Sequence, residues 1–150
     1  MISAKPWGLS VRVIIKDQTG RYLLLQRSKN AKTNAGKWEL PGGKTDQHEN
    51  FDVALLREVA EETGLAISVE HVAGALESEL PKVKVAHLLL EGRVESGQLR
   101  LSSEHDAYAW VSPSELGSMD VADWFRPFAD AQRKTPPAAK SQRCGSWMKA

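Results

Sequence analysis

The stretch REVAEETGL, residues 57–65, places three glutamates within five positions, with an arginine beside them. From about Glu49 to Thr63 the pattern predicts a helix, and Gly64 stands where a left-handed C-terminal cap would fall. On a helical wheel the glutamates share one side, and the side predicted to be buried is formed by Val53, Leu56, Val59, Ala60 and Thr63. Because like charges three and four positions apart repel one another on a helix, this acidic face is unfavourable unless something neutralises it.

Divalent cations would neutralise such a face, because converging carboxylates are hard oxygen ligands that suit Mg²⁺ or Mn²⁺. The segment LPGGK, residues 40–44, precedes the helix, and its glycines let the backbone approach an ion or a ligand closely. A cation held there converts the acidic face into a phosphate site, since the metal bridges carboxylate and phosphoryl oxygens. Arg57 is expected to organise the face by pairing with Glu49 or Glu61. An ordinary solvated helix face is the alternative explanation.

The length and composition are those of an ordinary globular chain. With 150 residues, 41% hydrophobic and 26% charged, the chain is long enough to bury a core. We predict one domain over residues 1–134, followed by a flexible tail, residues 135–150, that Trp147 could anchor. The 20 Lys and Arg residues nearly balance the 19 Asp and Glu residues, so the charge favours neither nucleic acid nor an anionic membrane as a partner.

The expected location is the cytoplasm. Cys144 is the only cysteine, so no disulfide can form within the chain, which agrees with a reducing compartment. No segment approaches the roughly 18 consecutive apolar residues of a membrane-spanning helix. The start, MISAKPWGLS, lacks the apolar centre of a signal peptide. We therefore expect a soluble, cytoplasmic protein, and the sequence does not indicate its oligomeric state.

The order of the predicted elements indicates the fold class. Residues 10–28, SVRVIIKDQTGRYLLLQRS, have the pattern of a β-hairpin around a DQTG turn. Three strands are predicted after the helix, over residues 67–78, over residues 83–94, and within residues 104–116, where the strand runs into a turn. Residues 120–134 are predicted to form a helix capped by Asp120, with Pro127 kinking it or marking a later start. This order predicts an α/β fold with a mixed sheet between helices.

The spacing around the acidic stretch points to a family. Read from Gly43, five residues lead to Glu49, and seven more lead to REVAEETGL. This resembles the complete 23-residue signature of the Nudix hydrolases, with every fixed position filled. A chance match somewhere in a chain of this length is expected on the order of once in ten million sequences. The resemblance implies an α/β/α sandwich and a Mg²⁺-dependent hydrolase, with Mn²⁺ as a possible substitute. Its substrate would be a nucleoside diphosphate linked to a further group.

The resemblance also implies roles for residues of the signature. Glu61 and Glu62 would be metal ligands, and Glu58 would be a ligand or the base that activates water. The remaining positions would support the site: the carbonyl of Gly42 as a further ligand, the ion pair of Arg57 with Glu49, and the two glycines Gly43 and Gly64.

Further candidates lie outside the signature. In this family a glutamate elsewhere in the chain often completes the metal set, and Glu104 is the candidate, with Glu79 and Glu77 as rivals. Lys44, beside the glycines, and Arg27, at the end of a predicted strand, are expected to contact phosphates. The alternative for both is an ordinary surface charge.

Two other groups of residues have competing explanations. His105 and Asp106 could form an acid–base pair, but neighbouring residues of a strand point to opposite faces and rarely act on one atom. Trp38, Trp110 and Trp124 could stack on a base, whereas tryptophans more often fill a core.

The style of the segments LLLQRS and GKWELPGGK resembles the MutT-like group, which cleaves (d)NTPs to the monophosphate and pyrophosphate. Some members act on oxidised nucleotides such as 8-oxo-dGTP, and we expect a small-molecule nucleotide of this class. ADP-ribose or another nucleotide sugar is the alternative, because Pro81 lies near the position where the ADP-ribose-cleaving subgroup tends to carry a proline. A non-catalytic nucleotide-binding sensor is a further alternative, although such modules are expected to lose signature carboxylates and none is lost here.

Overall fold

A computed structural model describes residues 4–46 and 48–133. Its regular elements are β1 (Trp7–Ile15), β2 (Tyr22–Arg27), β3 (Trp38–Glu39), β4 (Gly42–Lys44), α1 (Phe51–Thr63), β5 (Leu65–Glu79), β6 (Lys84–Gly97), β7 (His105–Val111), two 3₁₀ helices (Pro113–Ser118 and Asp123–Phe125) and α2 (Arg126–Arg133). The predicted tail, residues 135–150 with Trp147, lies outside the described residues, and the single domain over residues 1–134 stays a prediction. None of the helices within the described ranges is long and apolar enough to cross a lipid bilayer.

The strands form two sheets. The larger has the order β4-β1-β6-β5, with β1 parallel to β6 and the other two pairs antiparallel. The smaller has the order β3-β2-β7 and is antiparallel throughout. The mixed sheet that the sequence predicted is confirmed in the larger of the two.

Each face of the sheets carries its own core, because side chains alternate along a strand. On one face Val11 of β1 belongs to a buried cluster with Leu55 of α1. On the other face Ile14 of β1 belongs to a second cluster with Phe125 of a 3₁₀ helix and Ala129 of α2. The strands therefore lie between α1 and α2, which confirms the α/β/α sandwich.

The predicted hairpin is wrong in its pairing, although its turn is present. Asp17 Oδ1 accepts hydrogen bonds from the N–H groups of Thr19 and Arg21, as turn chemistry requires. Beyond one bridge between Lys16 and Tyr22, however, β1 and β2 do not pair with each other. β1 pairs with β4 and β6, and β2 pairs with β3 and β7. A run of apolar residues shows that a segment is a buried strand but does not specify its partner.

Helix α1 buries a different side from the one that the helical wheel predicted. Its C-terminus is as predicted, since Gly64 adopts a left-handed φ of 75°. Glu62 is buried and accepts a hydrogen bond from the N–H of Gly42. This contact turns the acidic edge of the helix inward. The prediction of burial is therefore wrong at three exposed positions: Val53, Leu56 and Ala60.

The last helix starts later than its predicted cap. Asp120 is not a helix cap, because residues 120–122 run along β3: the Trp38 N–H donates to the Asp120 carbonyl and the Ala122 N–H donates to the Trp38 carbonyl. Pro127 lies in the first turn of α2, where proline is tolerated because its missing N–H would be unpaired there. Pro127 was predicted either to kink the helix or to mark a later start, and in the structure it marks the later start of α2.

Two adjacent leucines test the orientation of α1. Leu55 is fully buried and Leu56 is 41% exposed. Leu55→Ala is expected to lower the free energy of unfolding by about 2–5 kcal/mol, because it leaves a cavity in the core. Leu56→Ala is expected to lower it clearly less. The measurement is equilibrium unfolding in urea, and equal losses in the two variants would contradict this orientation of the helix.

Candidate active site

Most of the predicted site residues converge on one cleft of about 570 Å³. It lies where β1, the turn after β3, helix α1 and the segment before β7 meet. The predicted residues that line it are Arg27, Gly42, Gly43, Lys44, Glu58, Glu62 and Glu104. Arg12 and Glu39 also line the cleft, although no pattern in the sequence marked them as site residues.

Residues 40–43, here called the glycine turn, lead from β3 into the first residues of β4 and fit closely against β1 and α1. Gly42 has a φ of 134°, and a Cβ on it would lie 2.1 Å from the carbonyl oxygen of Val11. A Cβ on Gly43 would lie 3.0 Å from the carboxylate carbon of Glu58. Position 42 therefore needs a residue without a side chain, and at position 43 the backbone lies directly against a carboxylate of the helix.

Glu62 is the most deeply buried carboxylate of α1, with 5% of its surface exposed. Its Oε1 accepts a hydrogen bond of 3.0 Å from the Gly42 N–H. Burial raises the pKa of Glu62 to about 8, and the charges of Glu39 and Glu58 act in the same direction, against the Gly42 hydrogen bond and the charge of Arg12. The site is therefore short of positive charge beside this carboxylate.

Glu58 is in a similar environment. Burial raises its pKa above the ordinary value; Arg57 opposes this shift, and the charges of Glu61 and Glu104 add to it. The negative charges of Glu58, Glu62 and Glu104 are therefore concentrated in one region of the cleft.

Arg57 organises the exposed edge of α1. Its Nη2 and Nε donate to the two carboxylate oxygens of Glu49, at 2.5 and 3.2 Å. Its Nη1 lies 3.2 Å from both Glu58 Oε1 and Glu61 Oε1. Glu61 has a side chain that is 60% exposed, and it does not line the cleft. The contacts expected of Arg57 are thus present, and its role in a reaction stays a prediction.

The three candidates for a carboxylate outside the signature separate clearly. Glu104 lines the cleft, and its backbone carbonyl accepts a hydrogen bond of 3.0 Å from the N–H of Ser28. Glu79 pairs instead with Lys5, and Glu77 is exposed on β5 and lines no part of the cleft. Only Glu104 of the three lies where it could act with Glu58.

The donor chemistry of the cleft fits a hard divalent cation. Within residues 4–46 and 48–133, no three Asp, Glu, His or Cys side chains already form a metal-binding group. Besides Glu39, which is paired with cationic groups, the cleft is lined by the carboxylates of Glu58, Glu62 and Glu104, and burial holds the pKa of Glu58 and Glu62 above the ordinary value. A cation among them would supply the positive charge that favours the ionised form.

A buried ion cluster forms the opposite wall of the cleft. Glu39, 2% exposed, accepts hydrogen bonds at Oε2 from Arg27 Nη1 (3.1 Å) and His105 Nε2 (2.9 Å). Its Oε1 lies 3.4 Å from Arg12 Nη1. The only sequence signal for this cluster was a charged residue within each of two apolar segments, RVII and WELP. Nothing in the sequence indicated that these charges meet.

His105 and Asp106 point in different directions, as expected for neighbours on a strand. His105 faces Glu39 in the interior, whereas Asp106 Oδ2 accepts a hydrogen bond of 3.1 Å from the N–H of Lys29. They do not form an acid–base pair.

A second cavity of about 620 Å³ adjoins the cleft. The two share a wall of four residues: Arg12, Arg27, Glu39 and Lys44. Trp124 lines the second cavity, with its ring stacked 4.6 Å from that of His87, and neither Trp38 nor Trp110 lines it. Asn34 and Asp123 line it too, joined by a hydrogen bond of 3.1 Å from the Asp123 N–H to Asn34 Oδ1.

Comparisons with known proteins identify relatives of the chain. A model of the NUDIX domain matches residues 6–132. A MutT-like protein of Streptomyces ambofaciens is 32% identical over 89% of this chain and 82% of its own length. The CTP pyrophosphohydrolase of Escherichia coli (strain K12) is 31% identical over 82% and 90%, respectively. The crystal structure of a MutT protein from Methanosarcina mazei Go1 is 38% identical, covers 89% of this chain and 97% of its own, and has a TM-score of 0.79.

Two glycines in different surroundings test the turn. Gly42→Ala is expected to destabilise the protein by more than about 1 kcal/mol, because its φ is unfavourable for alanine and the added Cβ meets backbone. Gly74→Ala is the control, since a Cβ on Gly74 has no heavy atom within 4 Å. Urea unfolding measures both, and a Gly42→Ala variant as stable as the control would contradict the close packing of the turn.

The stabilisation that Glu39 gives to the folded state is expected to be lost in acid. Burial would raise its pKa, but Arg12, His105 and Arg27 outweigh burial and lower the pKa from 4.5 to about 2. A carboxyl with a lowered pKa stabilises the folded state above its unfolded-state pKa and loses this effect as the pH falls through the folded-state pKa.

The difference in unfolding free energy between the wild type and Glu39→Gln should therefore be largest above pH 4.5 and shrink towards pH 2. Urea titrations at a series of pH values measure it. Glu70→Gln, which removes an ion pair with Arg93, controls for general effects of charge. A difference independent of pH would contradict the lowered pKa.

Proposed function

The chain belongs to the NUDIX family of hydrolases, and from this premise we propose that it hydrolyses a nucleoside triphosphate to the monophosphate and pyrophosphate, with Mg²⁺ in the cleft. Pyrophosphohydrolysis of nucleoside diphosphate-linked substrates is the reaction of this family, and its members generally need divalent cations. One observation carries the proposal: the carboxylates of Glu58 and Glu62 are held against the glycine turn, in a cleft that also contains Arg27 and Lys44.

The proposed ligands of Mg²⁺ are the carboxylates of Glu58, Glu62 and Glu104, together with the carbonyl of Gly42. Glu61 is carried over from the resemblance as a further ligand, at the exposed edge of α1 beside Arg57. Mn²⁺ has the same preference for oxygen ligands and is the expected substitute. When bound, the cation polarises the phosphate and lowers the pKa of the attacking water.

The side chains around the cation have distinct proposed tasks. Glu58 is a ligand or the base that takes the proton from water as the water oxygen bonds to phosphorus. The bond between that phosphorus and the bridging oxygen then breaks, and the bridging oxygen leaves with the departing phosphate group. Arg27 and Lys44 balance the negative charge of the phosphates from the other wall of the cleft. Arg57, paired with Glu49, keeps the carboxylates of α1 in position.

The second cavity is proposed to hold the nucleobase. It shares Arg27 and Lys44 with the cleft, so a nucleotide with its phosphates in the cleft can place its base beside Trp124. Asn34 and Asp123 offer polar groups for the edge of the base. Trp124 is 8% exposed, with His87 stacked on its ring and the Arg12 guanidinium 4.7 Å from the ring centroid, so it forms part of the cavity wall rather than an open stacking surface. This arrangement supports a nucleotide substrate but does not select one base.

A triphosphate is preferred to ADP-ribose as substrate. The relative from Escherichia coli is a CTP pyrophosphohydrolase by name. The sequence clue for ADP-ribose was Pro81, which lies in the short turn between β5 and β6 and lines neither cavity.

The proposal includes a cytoplasmic location, with which the single cysteine agrees. It includes no nucleic-acid or membrane partner, because the charges of the chain are nearly balanced.

The test is a panel of substrates with the purified protein. The (d)NTPs, 8-oxo-dGTP and ADP-ribose are incubated with Mg²⁺ or Mn²⁺, and the products are separated by ion-exchange chromatography. The expected products are a nucleoside monophosphate and pyrophosphate from at least one triphosphate. Glu62→Gln is expected to lower kcat on the order of 10²- to 10⁴-fold, since it removes a charge at the centre of the cleft.

Glu70→Gln, which alters a carboxylate outside both cavities, should leave turnover unchanged. Release of AMP and ribose 5-phosphate from ADP-ribose alone would favour the alternative substrate. Tight nucleotide binding with no turnover under either cation would favour the sensor. Near-normal turnover by Glu62→Gln would contradict the proposed site.

A further inference from the structure

We infer that Glu39 is a positioning residue. It holds the guanidinium of Arg27 and the segment that carries Glu104 in the orientation in which they bind the nucleotide and the cation. This inference rests on the proposed function, because it assigns Arg27 to phosphate binding and Glu104 to the cation. Glu39 lines the cleft but is 2% exposed, and we assign it no direct contact with substrate or cation.

Glu39 is the point at which the two sheets are joined by charge. It is the last residue of the two-residue strand β3. Its carboxylate accepts hydrogen bonds from Arg27 of β2 and His105 of β7, and it forms an ion pair with Arg12 of β1. Three of these strands belong to the smaller sheet, and β1 belongs to the larger one. One carboxylate therefore fixes the relative positions of groups on four strands.

The first group that Glu39 holds is the guanidinium of Arg27. Nη1 of Arg27 donates to Glu39, and its Nε donates to the carbonyl of Thr33 at 2.9 Å. These two contacts set the plane of a side chain that lines both cavities. Without Glu39, Arg27 keeps its charge but loses the partner that fixes its direction, so nucleotide binding should weaken.

The second group is the segment that carries Glu104. His105, the next residue, is 5% exposed, and the structure describes no hydrogen-bond partner for its Nδ1. The hydrogen bond from its Nε2 to Glu39 is therefore the polar contact that fixes the orientation of the imidazole ring. Glu104 stands one residue before this anchor and presents its side chain to the cleft. Loss of the anchor should let Glu104 move and so weaken cation binding.

The third group is the turn that carries the glycines. Arg12, which faces Glu39, also donates from Nη1 to the carbonyl of Leu40 at 3.1 Å. Leu40 comes two residues before Gly42. The effect of Glu39 therefore extends to both sides of the proposed cation site, through His105 on one side and Arg12 on the other.

A merely structural ion cluster is the competing explanation, and it predicts different measurements. Removing such a cluster lowers stability but leaves the folded fraction with normal affinities. Removing a positioning residue changes the affinity for the cation and the KM for the nucleotide in protein that is still folded. Residues that orient metal ligands typically contribute about 10- to 100-fold to metal affinity or activity.

The experiment compares Glu39→Gln with the wild type and with Glu70→Gln, whose carboxylate pairs with Arg93 at 2.7 Å outside both cavities. The Kd of Mn²⁺ is measured by electron paramagnetic resonance of the free ion, and kcat and KM are measured at a temperature where circular dichroism shows each variant folded. Glu39→Gln is expected to raise the Kd of Mn²⁺ about 10- to 100-fold and to raise KM. Glu70→Gln should change neither.

Two variants of His105 carry the test if Glu39→Gln does not fold. His105→Gln keeps an N–H that can reach Glu39, and it should stay close to the wild type in Mn²⁺ affinity. His105→Leu has no such group and should lose Mn²⁺ affinity while leaving the KM for the nucleotide, measured at saturating Mn²⁺, nearly unchanged, because Arg27 still contacts Glu39. This separation of the two effects is not expected from a general loss of stability.

The inference is overturned if Glu39→Gln, or His105→Leu in its place, is folded and binds Mn²⁺ as the wild type does. Failure of the proposed function has a different signature. A wild-type protein that binds Mn²⁺ but cleaves no nucleotide contradicts the function, while the Mn²⁺ titrations of the variants still decide whether Glu39 orients the cleft.

Discussion

The hydrogen bond from the Gly42 N–H to the buried carboxylate of Glu62 is the contact on which the site depends. It joins the turn after β3 to the C-terminal half of α1, twenty positions along the chain. The contact requires glycine at position 42, since a side chain there would meet the backbone of β1. It also rotates α1 so that the acidic edge faces the turn. The exposed apolar residues Val53 and Leu56 are a consequence of that rotation.

Two buried carboxylates on opposite walls of the cleft show how environment separates their chemistry. Glu39 is surrounded by Arg12, Arg27 and His105, which outweigh burial and lower its pKa to about 2. Glu62 has one backbone N–H and a more distant arginine, so burial raises its pKa to about 8. One wall is neutralised by the protein itself, whereas Glu62 on the other lacks a positive charge in direct contact with it among the residues that the structure describes. In the proposed function the cation supplies that charge, so this wall is less favourable for stability before the cation binds.

The parts of the site that the sequence predicted are those that one short segment encodes. The signature spacing placed Glu58 and Glu62 on one helix beside a glycine turn, and both line the cleft. Glu61 belongs to the same pattern but lies on the exposed side, because residues one position apart on a helix are separated by about 100°. The wall formed by Arg12, Glu39 and His105 was not predicted as a unit. Its members lie on three strands, and Glu39 and His105 are 66 positions apart.

The sequence by itself determined the α/β class, the order of the elements, the position of the C-terminus of α1 and the family, because these depend on residue types at fixed spacing within short segments. The tertiary structure alone decided three further features. These are the division of β1 and β2 between two sheets, the side of α1 that is buried, and the meeting of Arg12, Arg27 and His105 at Glu39. The physical reason is that strand pairing, helix rotation and buried ion pairs depend on contacts between residues far apart in the chain. Their free energies depend on what packs opposite, which no local pattern specifies.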